Sequence, residues 1–308
     1  MVEKELVRDS NSLRDNLYII FKKGLCDAQA LFLCYNCYMK TYVITGGTSG
    51  IGKALVEFFA KDNIVFAGYR NEDKKQELIE YSQNIIPFYV DYNKPETIDS
   101  AVEFIKSKTD NVDTLINVAG GVVAGAIEKL SMQELRRQFD INVFGHVQFS
   151  QGLVDVLNHS KIINISSMSS YGIYPFIAPY CASKRALDIL FNCFSLETKR
   201  DIKVVSIKPG VIATPLWSKS ISENKNTIEK CENGFKNEIN YMQENAKKNE
   251  VKGLSTEVVV KKIAKIDNMK NPKPSYCIGL DAYATAIISR LPQCLLNKVI
   301  RLKLNRIK

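Results

Sequence analysis

From about residue 40 onward, short runs of β-branched and apolar residues alternate with longer stretches in which apolar positions recur at helical spacing. This alternation is typical of repeated strand–helix–strand units, and it predicts a doubly wound, Rossmann-type parallel sheet in a single α/β domain. The candidate strands are 41–45, 63–69, 85–91, 112–118, 161–167, 202–208 and 275–279. The candidate helices are 51–61, 95–108, 131–157 and 179–200.

Three segments depart from this alternation. No helix or strand pattern holds for long in residues 1–38, so we expect an extension that contributes little to the fold, with a targeting or docking arm as the alternative and Met39 as a second candidate start. Residues 221–250 are polar and predict a mobile helical insertion or lid. The chain is thus expected to consist of the extension, a dinucleotide-binding domain over 39–284 and a basic tail over 285–308.

Composition and charge restrict the class of protein. The 308 residues are 45% hydrophobic and 24% charged, which is ordinary for a globular protein and excludes wholesale disorder. The net charge is +9, but the tail holds six basic residues and no acid, so the rest is only mildly basic. Because no basic stripe is interleaved with aromatic residues, we expect no nucleic-acid partner. For residues 295–308 we expect a packed C-terminal helix, with weak peripheral contact to an anionic membrane as the alternative.

Cysteine usage and the apolar runs bear on the compartment. Eight cysteines are sparse for this length and several lie in apolar segments, which favours a reducing cytoplasm. Cys34 and Cys37 form a lone CxxC, and since neither a second pair nor a histidine pair completes a ligand set, we expect no metal. No apolar run reaches the roughly 18 residues that a membrane-spanning helix needs.

The first strand runs into a glycine-rich turn that opens a helix. Glycines allow a sharp turn and close approach to a pyrophosphate, and the helix start offers free N–H groups and the positive end of its dipole. The spacing is GxxxGxG rather than GxGxxG, so the motif alone leaves a ligand-free glycine turn as an alternative. The predicted cofactor contacts in this turn are Gly46, Thr48, Ser49, Gly50, Ile51 and Gly52.

Later strand ends strengthen the prediction of a dinucleotide site. Arg70 follows the second strand, 18 residues beyond Gly52, where an acid would favour NAD. A guanidinium instead suits a 2′-phosphate, so NADP(H) is preferred over NAD(H), with a solvated loop arginine as the alternative. Asp91 ends the third strand and is a candidate acceptor for the adenine amino group. The fourth strand closes with Asn117, Val118, Ala119 and Gly120, of which Asn117, Ala119 and Gly120 are predicted cofactor contacts.

A candidate proton-transfer group lies on the helix 179–200. Tyr180 and Lys184 are four residues apart and share one helix face. The tyrosine pKa is near 10 unperturbed, and a neighbouring ammonium would lower it, which suits the phenol to exchange a proton with a carbonyl or alcohol oxygen. Ser167 ends the fifth strand and can orient that oxygen. Hydrolysis is not expected, because no GxSxG motif surrounds any serine and only two histidines exist.

Together TGGTSGIG, NVAG, Ser167, YCASK and Pro209-Gly210 resemble the short-chain dehydrogenase/reductase family in order and spacing, from Met39 to about Gly279. The resemblance implies a catalytic tetrad of Asn142, Ser167, Tyr180 and Lys184, in which the asparagine holds a relay water and the lysine also binds the nicotinamide ribose. It further implies nicotinamide contacts in the stretch 208–214. The residues concerned there are Pro209, Gly210, Ile212 and Thr214. Val118 departs from the family's usual second asparagine.

These features predict an NADP(H)-dependent oxidoreductase that interconverts a ketone or aldehyde and an alcohol. Longer segments look most similar to the hydroxysteroid and retinol dehydrogenase branch, which suggests a steroid-, retinoid- or lipid-like substrate. The expected pocket residues are mostly apolar and comprise Ile173, Tyr174, Phe176, Ile177, Leu216 and Trp217. The resemblance also implies a homodimer or homotetramer. A cofactor-binding sensor or scaffold without turnover is the alternative, and the intact Ser167, Tyr180 and Lys184 argue against it.

Overall fold

All seven predicted strands are confirmed in the computed structural model, which describes residues 39–307. They form one parallel sheet in the order β3-β2-β1-β4-β5-β6-β7, so the chain reverses direction across the sheet between β1 and β4. Ligands of such open sheets bind at the carboxyl ends of the strands near this reversal. The strands are β1 (Thr41–Ile44), β2 (Ile64–Tyr69), β3 (Ile85–Tyr89), β4 (Thr114–Asn117), β5 (Ser160–Ile165), β6 (Ile202–Pro209) and β7 (Ser275–Ile278).

Helices connect the strands and cover both faces of the sheet. Seven lie along the strand-to-strand connections up to β6 or directly after it: α1 (Gly50–Phe59), α2 (Asp73–Tyr81), α3 (Pro95–Lys106), α4 (Met132–Phe139), α5 (Gly145–Leu153), α6 (Ala178–Glu197) and α7 (Leu216–Glu223). Four follow: α8 (Lys225–Lys252), α9 (Thr256–Asp267), α10 (Leu280–Ile288) and α11 (Gln293–Asn305).

The core divides into two layers because adjacent residues of a strand point to opposite faces of the sheet. One layer lies under α1 and α9, and the other under α3, α5 and α6. Since helices cover both faces, the strands are apolar almost throughout rather than alternating. Neighbouring residues that are fully buried in opposite layers are Val43 and Ile44, Leu115 and Ile116, and Ile162 and Ile163.

The predicted single helix 131–157 is wrong in one respect. A capping box of Ser131 and Glu134 starts α4, but a π-helical turn, Asp140–Phe144, separates it from α5. A π turn inserts one extra residue into the helix, and such turns are frequent at functional sites. The buried residues Gln138, Asn142 and His146 are polar, so the insertion leaves no mark in the hydrophobic pattern. It carries Asn142.

The C-terminal third contains more helix than the sequence pattern specified. The predicted insertion 221–250 is helical, forming the end of α7 and most of α8, and α8 is broken at Asn233, Gly234 and Phe235, where Gly234 has φ +101°. The expected boundary between domain and tail at residue 284 falls inside α10. The extension 1–38 and its CxxC lie outside the described residues.

Two properties of residues 39–307 bear on other classes of protein. Within this range no helix combines the length and hydropathy needed to cross a bilayer. The same residues contain no cluster of three or more histidine, cysteine or acidic side chains arranged to hold a metal ion.

Candidate active site

The glycine-rich turn after β1 forms a cradle that side chains would fill. Gly46 and Gly50 have φ values of +66° and +51°, a region that favours glycine. A Cβ on Gly52 would lie 2.1 Å from the carbonyl oxygen of Gly46, so the first turn of α1 packs directly on the glycine turn. A Cβ on Gly46 would lie 3.0 Å from Cα of Ala119 at the end of β4. The turn therefore packs tightly against α1 and the end of β4, and the N-terminus of α1 borders a cavity, as a bound pyrophosphate requires.

A cavity of about 530 Å³ extends from this turn across the carboxyl ends of the strands. Its size lies in the range of small-molecule and cofactor sites. Most of the predicted cofactor residues line it: Gly46, Thr48, Ser49, Gly50, Ile51, Arg70, Asp91, Ala119, Gly120, Tyr180, Lys184, Pro209, Gly210, Ile212 and Thr214. The residues present therefore fit a dinucleotide in position and in chemistry.

Two predicted cofactor residues do not line this cavity. Asn117 is fully buried, and its Nδ2 donates to Oδ1 of Asn164 at 2.8 Å and to Oγ of Ser150 at 3.2 Å, which ties β4 to β5. The Asn117 side chain thus faces β5 and α5 and not the cavity, and its role is to hold the end of β4 in place. Gly52 faces Gly46 instead of the cavity, so its role is to allow α1 to pack closely on the glycine-rich turn.

Two cations line the cavity beyond the end of β2. Arg70 is half exposed, and its Nη2 lies 3.4 Å from Oε1 of Glu223. Lys74, at the start of α2, lines the same region and also pairs with Glu77. Lys74 was not among the residues predicted from the sequence, although its place four residues after Arg70 was the available signal. Asp91 lines the cavity as predicted, and its Oδ1 accepts hydrogen bonds from the backbone N–H and Nδ2 of Asn93.

Ser167 and Tyr180 are brought together where this cavity meets a second one, and both residues line both cavities. Tyr180 is 7% exposed. The expected lowering of its pKa is wrong for the protein alone: burial raises the pKa of Tyr180, and the nearby hydroxyls of Ser167 and Ser169 only oppose that effect. The Lys184 ammonium lies 6.0 Å from the centre of the tyrosine ring.

Lys184 lies one helical turn after Tyr180 and is buried. Its Nζ donates to the carbonyl oxygen of Ile165 at 2.8 Å. Burial lowers the pKa of Lys184 to about 8, while the carboxylate of Asp188, another turn along α6, acts in the opposite direction. Asp188 in turn lies 2.9 Å from Nζ of Lys208, which ends β6, and the two side chains are 8% and 6% exposed. A buried ion pair therefore lies behind the predicted catalytic lysine.

Asn142 is fully buried in the π turn and does not line either cavity. Its Oδ1 accepts from the backbone N–H of Gly121 at 3.0 Å, and its Nδ2 donates to the Gly121 carbonyl and to Oγ of Ser183. A Cβ on Gly120 would lie 3.3 Å from Oδ1 of Asn142 and 3.6 Å from Nζ of Lys184. Gly120 thus leaves the space between the predicted relay asparagine and the lysine free of side chains.

Two further residues position the NVAG turn, and neither was predicted from the sequence. Oγ1 of Thr45 accepts hydrogen bonds from the backbone N–H groups of Val118 and Ala119 at 2.9 and 3.2 Å. Nε2 of His146 lies 2.7 Å from the Ala119 carbonyl oxygen, and burial lowers the pKa of this histidine to about 3, so the ring is neutral and its Nε2 is the donor. The adjacency of Thr45 to the glycine turn was the only available signal.

The second cavity, of about 440 Å³, begins at Ser167 and Tyr180 and has mostly apolar walls. Five of the six predicted pocket residues line it, whereas Leu216 lines the cofactor cavity. The walls formed by α8 and α11 were not predicted from the sequence, because contacts between distant helices have no local signature. The contributing apolar residues of these two helices are Ile228, Met242, Ala246, Ile300 and Leu304.

Comparison with known proteins agrees with this geometry. A family model described as short chain dehydrogenase matches residues 40–226, which is more than half of the chain. The fold and site define a dinucleotide-binding oxidoreductase, and the chain belongs to the short-chain dehydrogenase family. It is an enzyme that acts on CH–OH groups with NADP or NAD as acceptor.

Three similar proteins extend this assignment. An NADPH-dependent 3-dehydrocapnine reductase from Ornithobacterium rhinotracheale is 34% identical over 60% of this chain and 69% of its own. A 3beta-hydroxysteroid dehydrogenase 1 from Eggerthella lenta is 28% identical over 60% of this chain and 75% of its own. The crystal structure of a short-chain dehydrogenase from Streptomyces avermitilis superposes with a TM-score of 0.67 at 23% identity, covering 87% of this chain and 95% of that one.

Proposed function

We propose that this enzyme interconverts a ketone or aldehyde and an alcohol, with Tyr180 as general acid and base, on an apolar substrate that is steroid-, retinoid- or lipid-like. The observation that carries this proposal is that Ser167 and Tyr180 line both cavities, because a substrate oxygen between them would face the cofactor site from the apolar side. The apolar walls, and the hydroxysteroid named for one relative, support the substrate class.

The chain's own residues supply orientation and a proton. Ser167 donates a hydrogen bond to the substrate oxygen, and Tyr180 gives its phenolic proton to that oxygen during reduction. Because burial raises the tyrosine pKa, the phenol is protonated at neutral pH and ready to act as an acid. A bound reduced nicotinamide would supply the hydride. In the reverse direction the phenol must first lose its proton, a step that the Lys184 ammonium and an oxidised, positively charged cofactor favour.

We further propose that NADP(H) is preferred over NAD(H). Arg70 and Lys74 both line the cavity beyond β2, and no carboxylate ends that strand. Two cations suit a 2′-phosphate, whereas an acid there would suit the two free ribose hydroxyls of NAD. The NADPH-dependent relative also supports this choice.

The test combines binding and turnover. Calorimetric titration with NADPH and NADH should give tighter binding of NADPH, and Arg70→Glu should reverse the preference, since it places an acid at the end of β2. Equal binding of both cofactors by the unaltered protein would contradict the cofactor proposal. Tyr180→Phe should retain NADPH binding and lose carbonyl reduction. If the unaltered protein binds NADPH but reduces no member of an apolar ketone and aldehyde series, the sensor alternative is favoured instead.

The enzyme is further proposed to form a homodimer or homotetramer through α6 and to work in the reducing cytoplasm. Three large apolar side chains are exposed on α6: Ile189 at 51%, Leu190 at 44% and Leu196 at 80%. The described cysteines are all free, as a reducing compartment favours. Sedimentation equilibrium should give a mass of two or four chains, and Leu190→Glu should reduce it. A monomer would contradict the proposal.

Peripheral contact with an anionic membrane is proposed for the C-terminal helices. Leu295, Val299 and Leu302 lie on one face of α11 and are 49%, 64% and 55% exposed. Ile287 of α10 is 68% exposed. Basic residues accompany this apolar stripe, and no acidic residue follows Asp281 in the sequence, so the surface matches a negatively charged bilayer.

Point substitutions test this contact better than truncation, because the opposite face of α11 lines the substrate cavity. Lys298→Gln with Arg301→Gln should lower the affinity for phosphatidylcholine–phosphatidylglycerol vesicles, measured by sedimentation, roughly 25-fold, at about fivefold for each charge. Lys94→Gln with Lys108→Gln, which removes two exposed positive charges elsewhere on the protein, is the control and should leave the affinity unchanged. Equal sedimentation of the basic-residue variant and the unaltered protein would contradict the contact.

A further inference from the structure

The substrate cavity contains a carboxylate that its apolar walls do not explain. Glu238 lines this cavity and is only 7% exposed. Among the described residues 39–307, no hydrogen-bond or ion-pair partner faces its side chain. The buried carboxylate of Asp267, by contrast, pairs with Lys40 and accepts hydrogen bonds from Tyr42 and Thr114.

The position of Glu238 follows from the break in α8. After the non-helical residues 233–235 the helix resumes, and Glu238, Met242 and Asn249 recur on the face that borders the cavity. This face is otherwise formed by apolar and amide side chains. A carboxylate within it points toward the same space as Ser167 and Tyr180.

One other charged side chain lines the cavity. Lys303 of α11 does so from an exposed position, and it has no ion pair among the described residues. Its ammonium is hydrated by bulk water, whereas Glu238 is only 7% exposed and its carboxylate is reached by the water that fills this cavity. An unpaired buried carboxylate is costly unless a cation or donors compensate it. A cationic group on a ligand in this cavity would provide that compensation.

We propose that the substrate of this enzyme carries an ammonium group, and that Glu238 pairs with it inside the cavity. This rests on the proposed function, since it assumes that the second cavity holds the substrate whose oxygen meets Tyr180. The substrate class is then an apolar amino ketone, amino aldehyde or amino alcohol. Glu238 is a specificity-determining residue and takes no part in the proton transfer.

Binding of simple probes tests the ion pair without turnover. Trp217 is the single tryptophan of the chain and lines the same cavity, so its fluorescence reports occupancy. The probes are decylamine and decanol, which share one alkyl chain and differ in charge. We expect the unaltered protein to bind decylamine roughly tenfold to hundredfold more tightly, the usual range for a hydrogen bond to a charged group.

Two variants separate this ion pair from general effects. Glu238→Gln should lose the preference for decylamine while keeping its affinity for decanol, which shows that the cavity remains folded. Glu244→Gln is the matched control, because Glu244 lies on the same helix but is exposed and outside the cavity. It should keep the preference. Equal affinity of the unaltered protein for the two probes, or an unchanged preference in Glu238→Gln, would overturn the proposal.

Kinetics then connect the ion pair to the reaction. With an amino ketone as substrate, Glu238→Gln should raise KM and leave kcat almost unchanged, because an interaction made equally in the ground and transition states affects binding alone. A matched neutral ketone should show no change in KM. If the probes bind as expected but no ketone is reduced, the proposed oxidoreductase activity is contradicted while the ammonium site stands. If ketones are reduced but decylamine is not preferred over decanol, the ammonium site alone is contradicted.

Discussion

Removing the Asp188 carboxylate should change both stability and the pH dependence of activity. Asp188 and Lys208 lie 2.9 Å apart with side chains 8% and 6% exposed, and Nζ of Lys208 also lies 3.9 Å from the centre of the Tyr171 ring. In Asp188→Asn the buried Lys208 ammonium loses its counter-ion. Breaking one side of a buried pair costs about 3–5 kcal/mol, which lowers the melting temperature by roughly 6–20 °C for a domain of this size.

The same substitution should lower the pH at which Lys184 loses its proton. Burial lowers the pKa of this lysine to about 8, and Asp188 counteracts that effect. Without the carboxylate the pKa falls further, so the ammonium is lost at lower pH. Because the protonated lysine supports proton transfer at Tyr180, the alkaline limb of the kcat profile should move to lower pH in the variant. The assay is ketone reduction across pH at saturating NADPH, with melting followed by circular dichroism.

A double variant separates the two effects. Asp188→Asn with Lys208→Met removes both charges of the pair and should recover most of the lost stability, since a neutral buried pair avoids the unpaired ion. The alkaline limb should stay shifted, because the influence on Lys184 is still missing. The prediction would be refuted if the Asp188→Asn variant had the same melting temperature as the unaltered protein, or if the alkaline limb of its kcat profile did not move.

Two further predictions concern the glycine turn and the far end of the sheet. Gly52→Ala should weaken NADPH binding more than tenfold, since its Cβ would lie 2.1 Å from the Gly46 carbonyl oxygen; calorimetry with unchanged affinity would contradict the cradle. Asp267 is buried, and although burial raises its pKa, Lys40, Thr114 and Tyr42 lower it to a greater extent, so the folded-state pKa is below its ordinary value. The stabilisation by the Asp267 carboxylate is fully present above the pKa of the unfolded state and is lost as pH falls through the pKa of the folded state. Asp267→Asn should therefore lower the free energy of unfolding in urea by about 1–3 kcal/mol at neutral pH and by less in acid. An equal loss at both pH values would contradict this prediction.

The proposals differ in what they require of the protein. Cofactor preference depends on Arg70 and Lys74, membrane contact on the exposed face of α11, and ammonium recognition on Glu238. Since these groups lie on separate elements, each variant tests its own proposal, and a loss confined to one measurement identifies the residue responsible.

The sequence by itself determined the sheet and the outline of the site. Apolar β-branched runs separated by helical spacing fix the seven strands, because a strand covered on both faces must be apolar throughout. Motif residues such as Gly46, Ser167 and Tyr180 follow strand ends or start helices, and parallel strands bring their carboxyl ends to one edge. These relations are local or follow from topology, so they can be predicted without coordinates.

Only the tertiary structure decided which side chains meet. Asn117 ends a strand at the expected place, yet its amide faces Asn164 and Ser150 inside the sheet. The π turn that carries Asn142 depends on one inserted residue that hydrophobic spacing does not register. Glu238 and the α11 wall reach the cavity from segments far from the motifs in sequence. Burial, the loss of hydration that shifts the pKa of Tyr180 and Lys184, and contacts between distant helices depend on packing in three dimensions, which a linear pattern does not contain.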